Sequence, residues 1–293
     1  MRVNGCDCSI VIKTAYCDGL NIPYSEETIR EAVSLLQEEA AIEGDGINRA
    51  IRKSNGVTGC VVTPLTIGTA PLLLYLAMGS AASPVFVSET RNLYQYRLNL
   101  LPLEDTDCFD LIQDRNNERR LYEGCKVLGF ELRVVRDEAV KLKLDICGGK
   151  SPVVYSANCQ TVEMSGSVIG TERFSGENVS YRINGKEYTN IYGLTLAAKK
   201  EGGTRTELWI RRILNTDFEF PQVIDELIIT AKRLRDEYEQ KHFGMFRITV
   251  KRLVLTSDET NVNSVDTVIG PLRYYVSGNV STEVFTSGNE MLV

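Results

Sequence analysis

The stretch VLGFELRVVRDEAVKLKLDI, Val127 to Ile146, returns in looser form from Ile191 as IYGLTLAAKKEGGTRTELWIRRI. Each copy opens with Val or Ile followed two residues later by Gly, then alternates: Phe130, Leu132 and Val134 against Leu194, Leu196 and Ala198. A charged turn follows, and a second alternating run sets Leu142 and Leu144 against Leu208 and Ile210. Alignment needs only two extra residues near Gly202–Gly203. Period-two alternation puts successive side chains on opposite faces of a strand, so each copy is a β-hairpin with one apolar face. In the first copy Phe130, Leu132, Val134, Val140, Leu142, Leu144 and Ile146 form that face. Its opposite face is Glu131, Arg133, Lys141, Lys143 and Asp145. In the second copy Thr195, Lys199 and Glu207 take the polar side, and Trp209 points away from Leu208 and Ile210. Such a hairpin buries one side against its domain and shows its charged side elsewhere.

With 293 residues the chain is long enough for two domains with separate cores. Its 33 basic and 39 acidic residues give a net charge of −6, which argues against a sequence-independent nucleic-acid binder. MRVNGCDCSIVIK carries no secretory pattern, and the longest apolar run, near Pro71 to Met78, is far short of a bilayer span. The expectation is synthesis and folding in a cytoplasm. All 8 cysteines lie within the first 159 residues without zinc-site spacing, so reduced, mostly buried thiols in packing roles are expected, not a metal centre.

Two helices are expected in the first half. Ser25 precedes Glu26 and Glu27, and Ile29, Ala32, Val33, Leu36 and Ala40 share a helical face that Gly44 ends. In TAPLLLYLAMG, Thr69 caps, Pro71 sits in the first turn and Gly79 terminates; apolar residues all round predict a buried helix. SPVFVSE and LYQYRLNLLP read as strands, and LEDTDCFDLIQDRNNERR as a polar crossing loop or short helix. Past Gly148–Gly149 and Pro152 the cysteines stop, which places a domain boundary near residues 150–165. SYRINGK carries an Asn184–Gly185 hairpin signal. The segment Pro221 to Phe243 fits a helix through Ile224, Leu227, Ile228, Ala231, Leu234 and Tyr238, with a buried strand at Leu227–Thr230 as the alternative. MFRITVKRLVLT is a strand whose alternation breaks at Lys251–Arg252, a bulge or bend, and PLRYYVSGNVSTEVF is a last strand. The fold class is thus α+β, mainly β: two β-rich domains, 1–155 and 156–293, each with a flanking helix and a long hairpin.

Chemistry-bearing constellations are scarce. His242, the single histidine, sits at an expected helix end and no cysteine is marked as its partner. The acids Glu104, Asp105, Asp107, Asp110 and Asp114 lack the spacing of a calcium loop and read as a solvated segment. No phosphate-binding glycine loop or nucleophile elbow is present. No catalytic residue, cofactor or metal is assigned. Trp209 either anchors a contact with another subunit or covers a second layer of its own domain.

Leu76 to Gly79, Tyr94 to Leu101, Gly124 to Gly129 and Leu142 to Gly148 follow one another in an order and shape that resembles the tail tube proteins of long-tailed bacteriophages. The resemblance covers roughly residues 60–150 and, through the second hairpin, part of 165–260. It implies two tail-tube-like β-sandwich or barrel domains. It further implies rings, trimeric with pseudo-sixfold symmetry, stacked into a tube whose inner barrel the hairpins line. Glu131, Arg133, Lys141, Lys143, Thr195, Lys199 and Glu207 would then be inner-barrel faces, and Trp209 a subunit contact. Implied partners are further copies of the chain and the tape-measure, tail-terminator and distal-tail proteins, with DNA only as transiting cargo and no membrane insertion; the implied location is the virion tail. A lumen of net negative potential is expected, so that DNA slides without being held. A distal-tail or hub component, a β-sandwich binding module, and an enzyme with a cleft near His242 or Asp105–Asp114 stay open as alternatives.

Overall fold

A computed structural model describes residues 8–15, 17–38, 49–81, 85–88, 93–115, 118–148, 153–156, 172–213, 220–234, 243–259 and 268–287. The strands of the first part are β1 (Cys8–Thr14), β2 (Cys17–Asn21), β3 (Glu26–Glu27), β4 (Arg30–Glu38), β5 (Arg49–Pro64), β6 (Gly79–Ala81), β7 (Val85–Ser88), β8 (Leu93–Leu100), β9 (Phe109–Arg115), β10 (Glu118–Val135), β11 (Lys141–Gly148) and β12 (Val153–Ser156). Those that follow are β13 (Val179–Ile183), β14 (Lys186–Tyr188), β15 (Ile191–Lys199), β16 (Arg205–Ile213), β17 (Val223–Leu234), β18 (Phe243–Asp258), β19 (Val268–Val276) and β20 (Val280–Ser287). The helix α1 (Ala70–Met78) lies between β5 and β6. The protein is mainly β, as its alternation predicts.

All the ladders are antiparallel and merge into one large sheet that is not closed into a barrel. Its centre runs β4–β5–β11–β10–β15–β16–β19–β18. Strand β10 is long enough to serve two neighbourhoods: its first half pairs with β9 and β12, its second with β11 and β15. Strand β18 does the same, pairing along one edge with β20 and then β19. The switch falls at Lys251–Arg252, where Arg252 adopts φ 56°, so the bend read from the broken alternation is real. Strand β20 also pairs with β8. The β10–β15 and β8–β20 ladders join residues of 1–155 to residues of 156–293, and the buried apolar side chains form one cluster drawing on both.

Helix α1 forms where expected, with all nine residues buried and Gly79 ending it at φ 104°. Its capping differs from the expectation. Thr69 makes no side-chain cap; instead the Thr69 N–H donates to Thr66 Oγ1 at 3.1 Å and the Thr66 N–H donates to Thr69 Oγ1 at 3.2 Å. This reciprocal pair satisfies donors that a buried helix start cannot lose to water.

The other two expected helices are strands. Residues placed on a helical face from Ile29 onward lead into β4, which pairs along β5 from Arg30↔Thr58 to Glu38↔Arg49. Ala40 and Gly44 lie outside the described residues. The run after Pro221 is β17, the alternative reading: Leu227, Ile229 and Ala231 are fully buried while Ile228 is half-buried, so the period is two. Tyr238 and His242 lie outside the described residues. In both segments pairing with a long neighbouring strand outweighs local helical spacing. The second half shows no helix of four residues or more among its described residues. The crossing segment is a short 3-10 turn, Leu103–Asp105, followed by strand β9. Asn184 and Gly185 make the expected two-residue hairpin turn, with φ 51° and 81°.

Candidate functional face: the four-stranded hairpin sheet

The two repeated hairpins, β10–β11 and β15–β16, are neighbours. Their first strands pair with each other, Phe130↔Ala198, Leu132↔Leu196 and Val134↔Leu194, giving the order β11–β10–β15–β16. Because β10 and β15 run antiparallel, a local two-fold axis normal to the sheet, at the Leu132–Leu196 pair, exchanges the hairpins. Under it Leu142 (opposite Leu132) corresponds to Leu208 (opposite Leu196), and Leu144 (opposite Phe130) to Ile210 (opposite Leu194). The sequence alignment and the spatial symmetry therefore agree residue for residue.

The repeated glycines explain part of that agreement. Gly129 and Gly193 each follow a break in register within their own hairpin. A Cβ on Gly129 would lie 2.7 Å from Ala198 O, and one on Gly193 would lie 3.3 Å from Val134 O. Each glycine thus lets its bulged strand approach the backbone of the other hairpin.

The inward face is apolar throughout its centre, with Leu132, Val134, Leu142, Leu196, Leu208 and Ile210 all fully buried. On the outward face two cross-strand rows run through the expected site residues. One passes Lys143, Glu131, Ala197, Glu207 and Tyr275; the other passes Lys141, Arg133, Thr195, Trp209 and Arg273. Lys199 lies opposite Gly129 and Arg205. All eight expected residues therefore share one face. Arg133, Lys199 and Glu207 are exposed, and Glu131, Lys141, Lys143, Thr195 and Trp209 half-buried.

On these strands basic residues outnumber acidic ones: Lys141, Lys143, Arg133, Lys199, Arg205, Arg211 and Arg273 against Asp145, Glu131 and Glu207. The hairpin turns add Arg136, Asp137, Glu138 and Glu201. The mixed signs expected of this face are present, with a basic excess that does not by itself supply the net negative potential expected of a DNA conduit. Several cations are paired: Glu138 faces both Arg133 at 3.5 Å and Lys141 at 3.3 Å, and Arg273 faces Glu259 at 3.1 Å. Partial burial alone would lower the Lys143 amine, but Asp145 at 3.2 Å offsets this and leaves it above its ordinary value. No partner of Arg211 is found among the described residues.

A groove of about 270 Å³ opens on this face, lined by Glu131, Arg133, Val135, Gly193, Leu194, Thr195, Trp209, Arg211 and Pro271. Four of its residues were expected site residues. Arg211 and Pro271 were not, although Arg211 stands two positions after Trp209 and so on the same face of its strand.

The other candidates are structural. Asp107 accepts a hydrogen bond from the Tyr75 hydroxyl, Asp110 from the Gly124 N–H at 2.9 Å, and Asp114 binds Arg119 at 2.7 Å. No cluster of metal-ligating side chains occurs among the described residues. Of the described cysteines with placed side chains only Cys125 is buried, its thiol pushed up to about 12 by desolvation; Cys108 is exposed and Cys17, Cys60 and Cys147 are half-buried. Of these five, one shows the expected burial. Lys200 is fully buried beside Gly79 at the end of α1, and its Nζ has no hydrogen-bond partner among the described residues. Burial, with a smaller push from the Lys126 charge, draws its pKa down to about 8. No described helix is long and apolar enough to cross a membrane. No protein-family model matches the chain, and no curated protein sequence matches it.

Proposed function

We propose that the chain is a structural subunit of a long-tailed bacteriophage tail tube, assembling into stacked rings around a conduit for DNA. The observation that carries this reading is the four-stranded sheet itself. Two copies of one hairpin join around a local two-fold, bury one apolar face in their own core and present a polar, charged face. A broad, rigid, polar-faced antiparallel sheet suits the wall of a hollow assembly.

The pairing alters how such a wall is built. Strands β5 and β19 already cover the outer edges of β11 and β16, so neighbouring subunits join through elements beyond the hairpins. The two hairpins form one stave related by a two-fold normal to the wall, not two staves related by rotation about the tube axis. A trimeric, pseudo-sixfold ring therefore does not follow from the repeat, and subunit counting decides the symmetry.

Negative-stain electron microscopy of the purified protein, with mass determination of rings, tests the reading. Stacked rings or tubes with a central pore are expected. Isolated rings that never stack would favour a distal-tail or hub component. A monomer at high concentration would refute assembly and favour a binding module.

A further inference from the structure

The local two-fold provides an internal comparison. It carries Lys143 onto Trp209 and Asp145 onto Arg211. At the first position Lys143 and Asp145 form an ion pair at 3.2 Å between Glu131 and Cys60. At the second position an indole and a guanidinium stand instead, and the groove opens with Gly193 and Thr195 as its floor. Arg133 and Val135 bound one side; Trp209, Arg211 and Pro271 bound the other.

We infer that this groove binds a nucleotide unit, its phosphate held by Arg211 and Arg133 and its base laid against Trp209. A guanidinium matches phosphate oxygens with two parallel donors, and Arg211 is exposed with no acidic partner among the described residues. Arg133 is half engaged by Glu138 at 3.5 Å, a long contact that a phosphate can displace. Arg133 on β10 and Arg211 on β16 lie diagonally across the groove, two inter-strand steps over and two residues along, about 12 Å at the backbone. Trp209 shares a cross-strand row with Arg133 and neighbours Arg211 along β16. Indole faces stack on bases irrespective of sequence. The one carboxylate in the groove, Glu131, stands opposite Lys143, which is itself paired with Asp145, so one negative charge is set against the two arginines. An acidic peptide would satisfy the arginines but leave Trp209 without a stacking partner. The site does not require ring assembly, so it stands or falls apart from the tube reading.

Trp209 is the only tryptophan, so its fluorescence reports the groove directly. Dispersed protein is titrated with a single-stranded thymidine decamer, thymidine monophosphate, inorganic phosphate and poly-glutamate. Quenching by the decamer is expected, weakening about sevenfold between 50 and 200 mM salt for two phosphate contacts on a single strand. Arg211→Ala should lower affinity at least tenfold. Arg182→Ala, an exposed cation on β13 away from the groove, should leave it unchanged. Tighter binding of the decamer than of the monophosphate assigns the source as a strand; the reverse assigns it as a free nucleotide. The inference is overturned if neither quenches, if Arg211→Ala binds like the parent, or if poly-glutamate quenches equally. Rings without quenching would refute this site alone, and quenching without rings would refute the tube alone.

Discussion

Replacing Gly129 by alanine tests whether the repeated glycines exist to bring the hairpins together. In the unfolded chain Gly→Ala removes backbone freedom and by itself stabilises by about 0.4–1 kcal/mol. In the folded chain the new methyl would lie 2.7 Å from Ala198 O, a backbone atom of the neighbouring strand, so the seam between β10 and β15 must open. Forced overpacking costs typically about 1–3 kcal/mol, and the clash outweighs the entropy gain, for a net loss of roughly 1–2 kcal/mol. The two-fold partner is the control. At Gly193 the contact would be 3.3 Å to Val134 O, which a small displacement relieves, so Gly193→Ala should fall within about 0.5 kcal/mol of the parent. Denaturant unfolding followed by the fluorescence of Trp209 measures both variants on one scale. The reasoning is refuted if Gly129→Ala is as stable as the parent, or if Gly193→Ala is the more damaging change.

Lys200→Met should stabilise the fold by roughly 3 kcal/mol at pH 7, the penalty of holding a charged amine whose pKa falls from 10.5 to about 8. Between the folded value of about 8 and the ordinary 10.5 the unfolded chain binds more protons, so the parent gains stability as pH rises through that window; Lys200→Met should abolish the rise in unfolding titrations. Leu132→Ala, at the two-fold axis and fully buried, should cost about 2–5 kcal/mol through the cavity it leaves, read as a lowered denaturation midpoint. Asn184→Ala should cost about 1–3 kcal/mol in the same assay. It loses the side-chain oxygen that accepts the Asp225 and Glu226 N–H groups at 2.9 and 3.0 Å, and places Ala at φ 51°.

The hairpins, the helix α1, the Asn184–Gly185 turn and the bend at Arg252 were legible because each depends on residues close in sequence. Strand β4 was not: Ile29, Ala32, Val33 and Leu36 fit a helix as well as a strand, and only the distant partner β5 decides between them. The near-continuous apolar run of β17 had the same ambiguity, resolved by pairing with β13 and β18. The polar face of the site could be read from alternation, down to each expected residue. The groove could not, because it depends on β10 lying beside β15 and on a glycine of one hairpin facing a valine of the other. Nothing local in the sequence encodes that adjacency.

The ladder between β8 and β20 sets a schedule for synthesis. Gln95 on β8 donates to Glu283 on β20, 188 residues later, at 2.9 Å. At ribosomal rates of about 5–20 residues per second, β8 waits some 10–40 s for that partner. During that time one edge of a strand bearing Tyr96 and Leu98 has nothing from its own chain to pair with. A nascent chain crowded among others on one message is exposed to strand exchange at this edge, and yield should depend on translation speed and on chaperones that shield it.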